Sequence, residues 1–203
     1  MSFLALLQSD QTTEALFIRL CANNRQAYAH YCERASVDRP DDVLTRWERL
    51  LVWIYTTTHG TWYQSINEPL RDGTPSDDVR ALAHILGGAL QKLPRHAGLV
   101  YRAIRVADLP SFLRGYQVGT TVEWGAFSSA TIDRAKVLIG NVIFIVGSNN
   151  GRVLGPYADH QDELEVVFLP NSRFRIDGVE HTSSKAIIDL SELPLSTSED
   201  KGE

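Results

Sequence analysis

Two glutamates stand two residues apart at the head of an apolar run, Asp162-Glu163-Leu164-Glu165-Val166-Val167-Phe168-Leu169. In a strand, residues two apart share a face, so Glu163 and Glu165 are predicted to point the same way. Their Cα atoms would lie ~6–7 Å apart. The residues after them are apolar at successive positions, the pattern of a strand buried on both faces. A carboxylate pair so held suits chemistry at a sugar carbon. One charge stabilises an oxocarbenium-like state and the other handles the nucleophile. The same residues also fit an edge strand carrying two solvated glutamates, because Glu is mostly exposed.

Two earlier segments carry matching chemistry. Val100-Tyr101-Arg102-Ala103-Ile104-Arg105 sets an arginine in the middle of an apolar strand. A guanidinium fork suits a phosphate or a carboxylate, and a structural ion pair would use it equally well. Ala126-Phe127-Ser128-Ser129-Ala130-Thr131 ends in small hydroxyl residues. Their side chains can bond a ribose or orient a neighbouring carboxylate, and they also suit a turn or cap before Asp133.

Positioning these residues requires strands, and the second half of the chain supplies them. Residues 98–106, 121–131, 141–146, 163–169, 173–180 and 185–190 read as strands separated by short polar links, with a short helix over 107–115. The first half has helical period instead. Leu16, Leu20, Ala27 and Tyr31 mark a helix over 12–35; Val43, Trp47, Leu50, Leu51 and Ile54 mark one over 41–57. Ser76 is an N-cap ahead of Asp77 and Asp78, with Val79, Leu82, Ala83, Leu86 and Leu90 following as an apolar stripe. Helices first and strands afterwards predict an α+β fold. The expected organisation is one domain: a helical part over 1–95, a β-rich core over 96–195 and a flexible tail over 196–203. Trp47, Trp53 and Trp62 are expected in the helical core and Trp124 among the strands.

Composition narrows the function classes. The 203 residues are 43% hydrophobic and 22% charged, as in ordinary globular proteins. Twenty Lys+Arg against 25 Asp+Glu give a net charge of −5, which disfavours a nucleic-acid partner. Of the basic residues, 16 are Arg and 4 are Lys; Arg105, Arg152, Arg173 and Arg175 fall in the strand half and are expected to flank a cleft there. Cys21 and Cys32 are eleven positions apart on one expected helix, ~16 Å of rise, and cannot bond to each other there. His84, His96, His160 and His181 show no metal-ligand spacing, so no metal is expected. The first residues lack the basic region of a secretory signal, and no apolar stretch approaches the ~20 residues of a membrane span. The expectation is a protein made in the cytoplasm without a cleavable signal.

Taken in order, the arginine strand, the hydroxyl strand and the carboxylate pair resemble the R-S-E class of mono-ADP-ribosyltransferases, which includes bacterial toxins and effectors. Arg102 in VYRAI matches that family's aromatic-Arg-Gly strand, with Ala103 in place of the Gly. Ser129 in FSSAT matches the first serine of its Phe-x-Ser-Thr-Ser motif, with Ala130 and Thr131 in place of Thr-Ser. Glu163 and Glu165 match its Glu-x-Glu motif. Tyr63-Gln64-Ser65-Ile66-Asn67-Glu68-Pro69-Leu70-Arg71 is similar to the family's helical Tyr…Ile-Asn…Leu-Arg segment, and the likeness runs over about residues 53–190.

The resemblance implies a helical part packed on a two-sheet β core and NAD⁺ as a co-substrate consumed in the reaction. It implies that Arg102, Tyr101, Ser129, Phe127 and Thr131 bind NAD⁺. Ser129 would orient Glu165, and Glu165 would stabilise the charge that develops as nicotinamide leaves. Glu163 would handle the acceptor; in this family Glu-x-Glu goes with arginine acceptors. Tyr157, ahead of the pair, falls in the family's substrate-recognising turn-turn loop. The implied partner is a target protein with an exposed arginine, reached after delivery into a host or target cell, with an immunity protein or inhibitor as a further partner. The alternatives are an NAD⁺ glycohydrolase, an inactive interaction module on the same fold, and a nucleic-acid ADP-ribosyltransferase.

Overall fold

The computed structural model of the chain describes residues 13–16, 18, 29, 30, 33, 43–57 and 62–194. The chain divides into two compact units, Met1–Leu93 with Leu154–Gln161, and Pro94–Val153 with Asp162–Glu203. An eight-residue excursion from the strand half thus belongs to the helical unit.

In the helical unit, α1 (Arg46–Thr56) starts at Thr45, whose hydroxyl accepts from the Glu48 N–H while the Glu48 carboxylate accepts from the Thr45 N–H. This reciprocal capping box satisfies two donors that a helix start leaves orphaned. The helix begins later than the sequence predicts, and Val43 is 57% exposed rather than part of the apolar face. From Leu50 to Tyr55 every side chain is buried, so α1 is the central helix of its unit. Trp47 and Trp53 are buried on it as expected. α2 (Trp62–Arg71) buries Ile66 and Asn67; the Asn67 amide donates to the Tyr55 hydroxyl at 3.1 Å. α3 (Asp77–Lys92) is capped by Ser76 and buries Leu82, Ile85, Leu86, Ala89 and Leu90. Of the helix expected over 12–35, residues 13–16, 18, 29, 30 and 33 are helical. Leu20, Ala27, Tyr31, Cys21, Cys32 and the tail over 196–203 lie outside the described residues.

In the strand unit, the described strands are β1 (Arg95–Ile104), β2 (Thr121–Trp124), β3 (Ser128–Thr131), β4 (Val142–Val153), β5 (Glu165–Phe168), β6 (Ser172–His181) and β7 (Ala186–Glu192). A short helix, α4 (Leu109–Leu113), follows β1. Hydrogen bonding links the strands in the order β1-β3-β5-β4-β7-β6-β2, and β1 also pairs with β4. The expected two sheets are therefore joined into one ladder that folds back on itself. Side chains from both halves meet in a single core, including Val100, Phe144, Val166, Phe168, Phe174, Ile176 and Ile188. Trp124 lies 4.3 Å from Phe174 and 5.4 Å from Phe144 by ring centroids, within the aromatic contact range.

Two strand expectations change. Residues 121–131 form two strands, not one. The break at Gly125–Phe127 sends β2 to pair with β6 at one end of the order and β3 to pair with β1 and β5 near the other. The carboxylate strand begins at Glu165, not Glu163. Gln161–Glu163 is instead one turn of 3₁₀ helix, and Leu164 takes the left-handed backbone at φ 51°.

At one end of the β1–β4 ladder, β4 carries an extra residue: Asn149 and Asn150 both lie between the pairs Gly98↔Ser148 and His96↔Gly151. The N–H groups of Asn149 and Asn150 leave the ladder there and donate to one carboxylate oxygen of Glu192, at 2.6 and 2.7 Å. Glu192 is 5% exposed, and these charge-assisted bonds compensate its burial.

Candidate active site

Three adjacent strands build the site. Glu165 opens β5, which lies between β3 and β4, with Val166, Val167 and Phe168 buried behind it. This fits the apolar run read from the sequence. Opposite residues on antiparallel strands share a face. The pairs Tyr101↔Thr131 and Thr131↔Glu165 therefore make one row across β1, β3 and β5.

A cleft over this row is lined by Tyr101, Arg102 and Ala103 of β1, Ser129, Ala130 and Thr131 of β3, Glu165 of β5, Glu163, and the segment Lys136–Val137–Leu138. Arg102 donates to the Ser129 carbonyl at 2.6 Å, which ties the guanidinium to the hydroxyl strand. Its far side lies 5.8 Å from the centroid of the Trp124 ring.

Glu165 is the electrostatic centre of the cleft. Burial pushes its carboxyl up from 4.5 to about 7, and the nearby Glu163 charge pushes the same way. A hydrogen bond from the Ser129 side chain and the Arg102 charge oppose the shift. The Ser129 bond is the larger of these two opposing influences.

Glu163 reaches the cleft by a different route from the one predicted. Strand alternation does not place it. It is exposed on the 3₁₀ turn, and the backbone around it is pinned from the strand unit. The Thr131 hydroxyl donates to the Glu163 carbonyl at 2.7 Å, and the Ile132 N–H donates to the Leu164 carbonyl at 3.2 Å. The Lys136 ammonium bonds the Asp162 carbonyl and lies 2.9 Å from its carboxylate. Thr131 thus lines the cleft, but its hydroxyl serves the carboxylate turn.

The structure brings Tyr101, Arg102, Ser129, Thr131, Glu163 and Glu165 together and leaves two expected residues out. Phe127 is 3% exposed in the break between β2 and β3 and does not line the cleft. Tyr157 lies in the excursion that belongs to the helical unit. The arginines expected to flank the cleft do not line it either. Arg173 and Arg175 lie on β6, where Arg175 pairs with Asp177 at 2.6 Å, and Arg152 is buried at the Asn149–Asn150 end of β4. The sequence reading missed Lys136, a cation five residues past Thr131 in a segment without strand pattern. Among the described residues no group of three or more His, Cys, Asp or Glu is placed to hold a metal ion.

The family model for NAD:arginine ADP-ribosyltransferase matches residues 4–198. The chain belongs to this family. Within it, the chain is 33% identical over 128 residues to the NAD(+)–protein-arginine ADP-ribosyltransferase Tre1 of Serratia proteamaculans, a match covering 62% of the chain and 27% of Tre1. The chain thus spans under a third of the length of the curated relatives it matches first. Among solved structures, the type III effector XopAI of Xanthomonas axonopodis pv. citri matches with a TM-score of 0.75 at 18% identity, over 94% of this chain and 91% of that one. The ADP-ribosyltransferase Vis, solved in complex with agmatine, matches with a TM-score of 0.65 at 22% identity, over 95% of this chain and 89% of Vis. These two likenesses bear on the fold: an ADP-ribosyltransferase fold with a strand-rich core. No described helix is long and apolar enough to cross a membrane.

Proposed function

We propose that the chain transfers ADP-ribose from NAD⁺ to an arginine side chain of a target protein and releases nicotinamide. One observation carries the reading. Arg102, Ser129, Glu163 and Glu165, drawn from three strands and a turn, meet in one cleft. The donor set fits NAD⁺ as substrate. Arg102 offers a guanidinium to its phosphates, and Tyr101, Ser129 and Thr131 line the same walls. Glu165, when ionised, stabilises positive charge at the ribose carbon as its bond to nicotinamide breaks. Glu163 is exposed where an incoming guanidinium would approach. A guanidinium is a poor nucleophile because its pKa is above ~12. The Glu163 carboxylate orients it and takes its proton as the new carbon–nitrogen bond forms. Vis with agmatine, a guanidino compound, supports that acceptor chemistry.

The type III effector XopAI, the Vis toxin and the protein-arginine ADP-ribosyltransferase Tre1 support a chain that acts inside another cell on a protein with an exposed arginine, against which a producing cell would need an inhibitor. The net charge of −5 favours protein over nucleic acid as acceptor. The intact Arg102–Ser129–Glu165 set favours an enzyme over an inactive module. NAD⁺ hydrolysis is the reaction expected when the acceptor is water, and it does not need Glu163. The test is incubation with NAD⁺, with and without agmatine, following nicotinamide release and acceptor labelling. Glu165→Gln abolishes both reactions. Glu163→Gln abolishes labelling and spares hydrolysis; labelling that survives Glu163→Gln undiminished refutes the role given to that residue.

A further inference from the structure

Residues 121–131 supply the cleft with more than Ser129. Trp124 ends β2 and Ser129 lies in β3, five positions apart across the break at Gly125–Phe127. Both reach the same guanidinium. The Ser129 carbonyl accepts from Arg102 at 2.6 Å, and the Arg102 Cζ lies over the Trp124 ring, 5.8 Å from its centroid. That distance is inside the ~6 Å range in which a cation is attracted to an aromatic face. β2 pairs with β6 and β3 with β5, so the two contacts come to Arg102 from separate parts of the ladder. The break that joins them is packed in place, with Ala126 and Phe127 both buried.

Trp124 is itself seated among aromatic rings. Phe144, Phe168 and Phe174 lie 5.4, 5.6 and 4.3 Å from it between centroids. Tyr116, which follows α4, packs on Phe112 and Phe144 at 4.8 and 5.6 Å. Burial pushes the Tyr116 hydroxyl up; a hydrogen bond with Trp124 and the Arg102 charge oppose that shift, so the three groups are neighbours. An indole N–H only donates, so the Tyr116 oxygen accepts and fixes the turn of the ring. Neither Trp124 nor Tyr116 lines the cleft.

An aromatic ring holds a cation in a way that suits a phosphate site. A carboxylate in its place would neutralise the guanidinium and compete with the phosphate for it. A ring carries no net charge, so it orients the cation without neutralising it. An arginine oriented before its ligand arrives also loses less side-chain freedom on binding. We infer that Trp124 is a positioning residue for Arg102. With the Ser129 carbonyl it clamps the guanidinium at the cleft wall, and Tyr116 steadies the ring. Trp124 thereby sets the affinity for the pyrophosphate of NAD⁺, while the chemistry at the ribose carbon is left to Glu165. The inference rests on the reaction proposed above.

The test compares wild type with Trp124→Leu, Trp124→Phe and Tyr116→Phe, each checked for folding by its melting curve. Leucine fills core space without an aromatic face, phenylalanine keeps a weaker face, and Tyr116→Phe removes only the acceptor of the indole. ADP-ribose, which carries the pyrophosphate, and nicotinamide, which does not, are titrated as inhibitors of NAD⁺ consumption. Trp124→Leu is expected to raise the KM for NAD⁺ and the Ki for ADP-ribose about tenfold, with kcat and the Ki for nicotinamide within twofold of wild type. Trp124→Phe and Tyr116→Phe are expected to raise the same two constants about threefold. In a second arm, fluorinated tryptophans placed at position 124 keep the shape of the ring and weaken its face stepwise. The Ki for ADP-ribose is expected to rise with each added fluorine, and this arm decides the matter where Trp124→Leu does not fold. Equal losses for ADP-ribose and nicotinamide mark a tryptophan that only fills the core and overturn the inference, as does a Ki for ADP-ribose unmoved by fluorination. A wild type that neither consumes NAD⁺ nor binds ADP-ribose overturns the proposed reaction and this inference with it. An active wild type whose affinity for ADP-ribose is unmoved in the variants overturns this inference alone.

Discussion

Replacing Glu165 by glutamine is expected to make the protein inactive and more stable, by an amount that depends on pH. The folded carboxyl titrates at about 7 against 4.5 for the free group. The folded state therefore holds this proton more tightly than the unfolded chain does. Stability from the group is complete below about 4.5 and is lost as pH rises through about 7. At about 1.4 kcal/mol for each tenfold in proton affinity, the ionised carboxylate costs about 3–4 kcal/mol above the window; its partial exposure leaves about 2–3 kcal/mol expected. Glutamine is uncharged and close in size, so it escapes that cost. Urea unfolding of wild type and Glu165→Gln at pH 5, 6, 7, 8 and 8.5 checks this; guanidinium is avoided because it mimics the acceptor. The variant's advantage should be small at pH 5, grow steadily, and level off near about 2–3 kcal/mol above pH 8. With a urea slope of ~1–3 kcal/mol/M, that is a midpoint rise on the order of 1 M. Nicotinamide release should fall by at least ~10²-fold, the scale on which a group stabilising transition-state charge is felt. An advantage that is flat across this pH range, or that shrinks as pH rises, refutes the assignment of a carboxyl raised by desolvation.

The same titration sets the rate. kcat/KM for NAD⁺ should climb tenfold per pH unit below about 7 and level off above it; Glu163→Gln should move that limb to lower pH, and Ser129→Ala to higher pH, in initial rates of nicotinamide release. Glu192→Ala removes the acceptor of two backbone N–H groups and should cost about 3 kcal/mol in urea unfolding, with much of the loss restored in Glu192→Gln. Gly151→Ala should cost about 1–3 kcal/mol by the same measurement, because the added Cβ would sit 2.5 Å from Val166 Cγ1 and 2.7 Å from Ser148 Oγ.

Arg102, Ser129 and Glu165 were legible in the sequence because each sits on a strand with a strong local pattern, and the order of the three segments identified the family. Glu163 lines the cleft with Glu165, but not by strand alternation. Two-residue spacing implies a shared strand face, but the left-handed Leu164 delays the start of the strand to Glu165, and tertiary bonds to Thr131 and Lys136 hold the preceding turn instead. The division of 121–131 was hidden because both halves have strand composition; only Gly125 interrupts them, and their partners lie in distant β6 and β5. The roles of Lys136 and Glu192 were not legible. Lys136 and Glu192 work through partners 26 and 43 positions away, and no local periodicity encodes such a bond. Of the helix starts, Ser76 with Asp77 was read correctly; Thr45 with Glu48 and Asp108 ahead of Leu109 are equally local signals, but the expected start at 41 passed over the first.

The row Tyr101–Thr131–Glu165 has a consequence for how activity arises in time. Its members come from β1, β3 and β5, and the ladder that holds them is completed by β4 and β7. Such long-range pairings slow folding, because loop entropy is lost before contacts compensate for it. No fragment that ends before Glu165 can hold the row, because β5 begins there. The row Tyr101–Thr131–Glu165 therefore exists only where these strands are paired, so the proposed chemistry depends on the ladder as a whole.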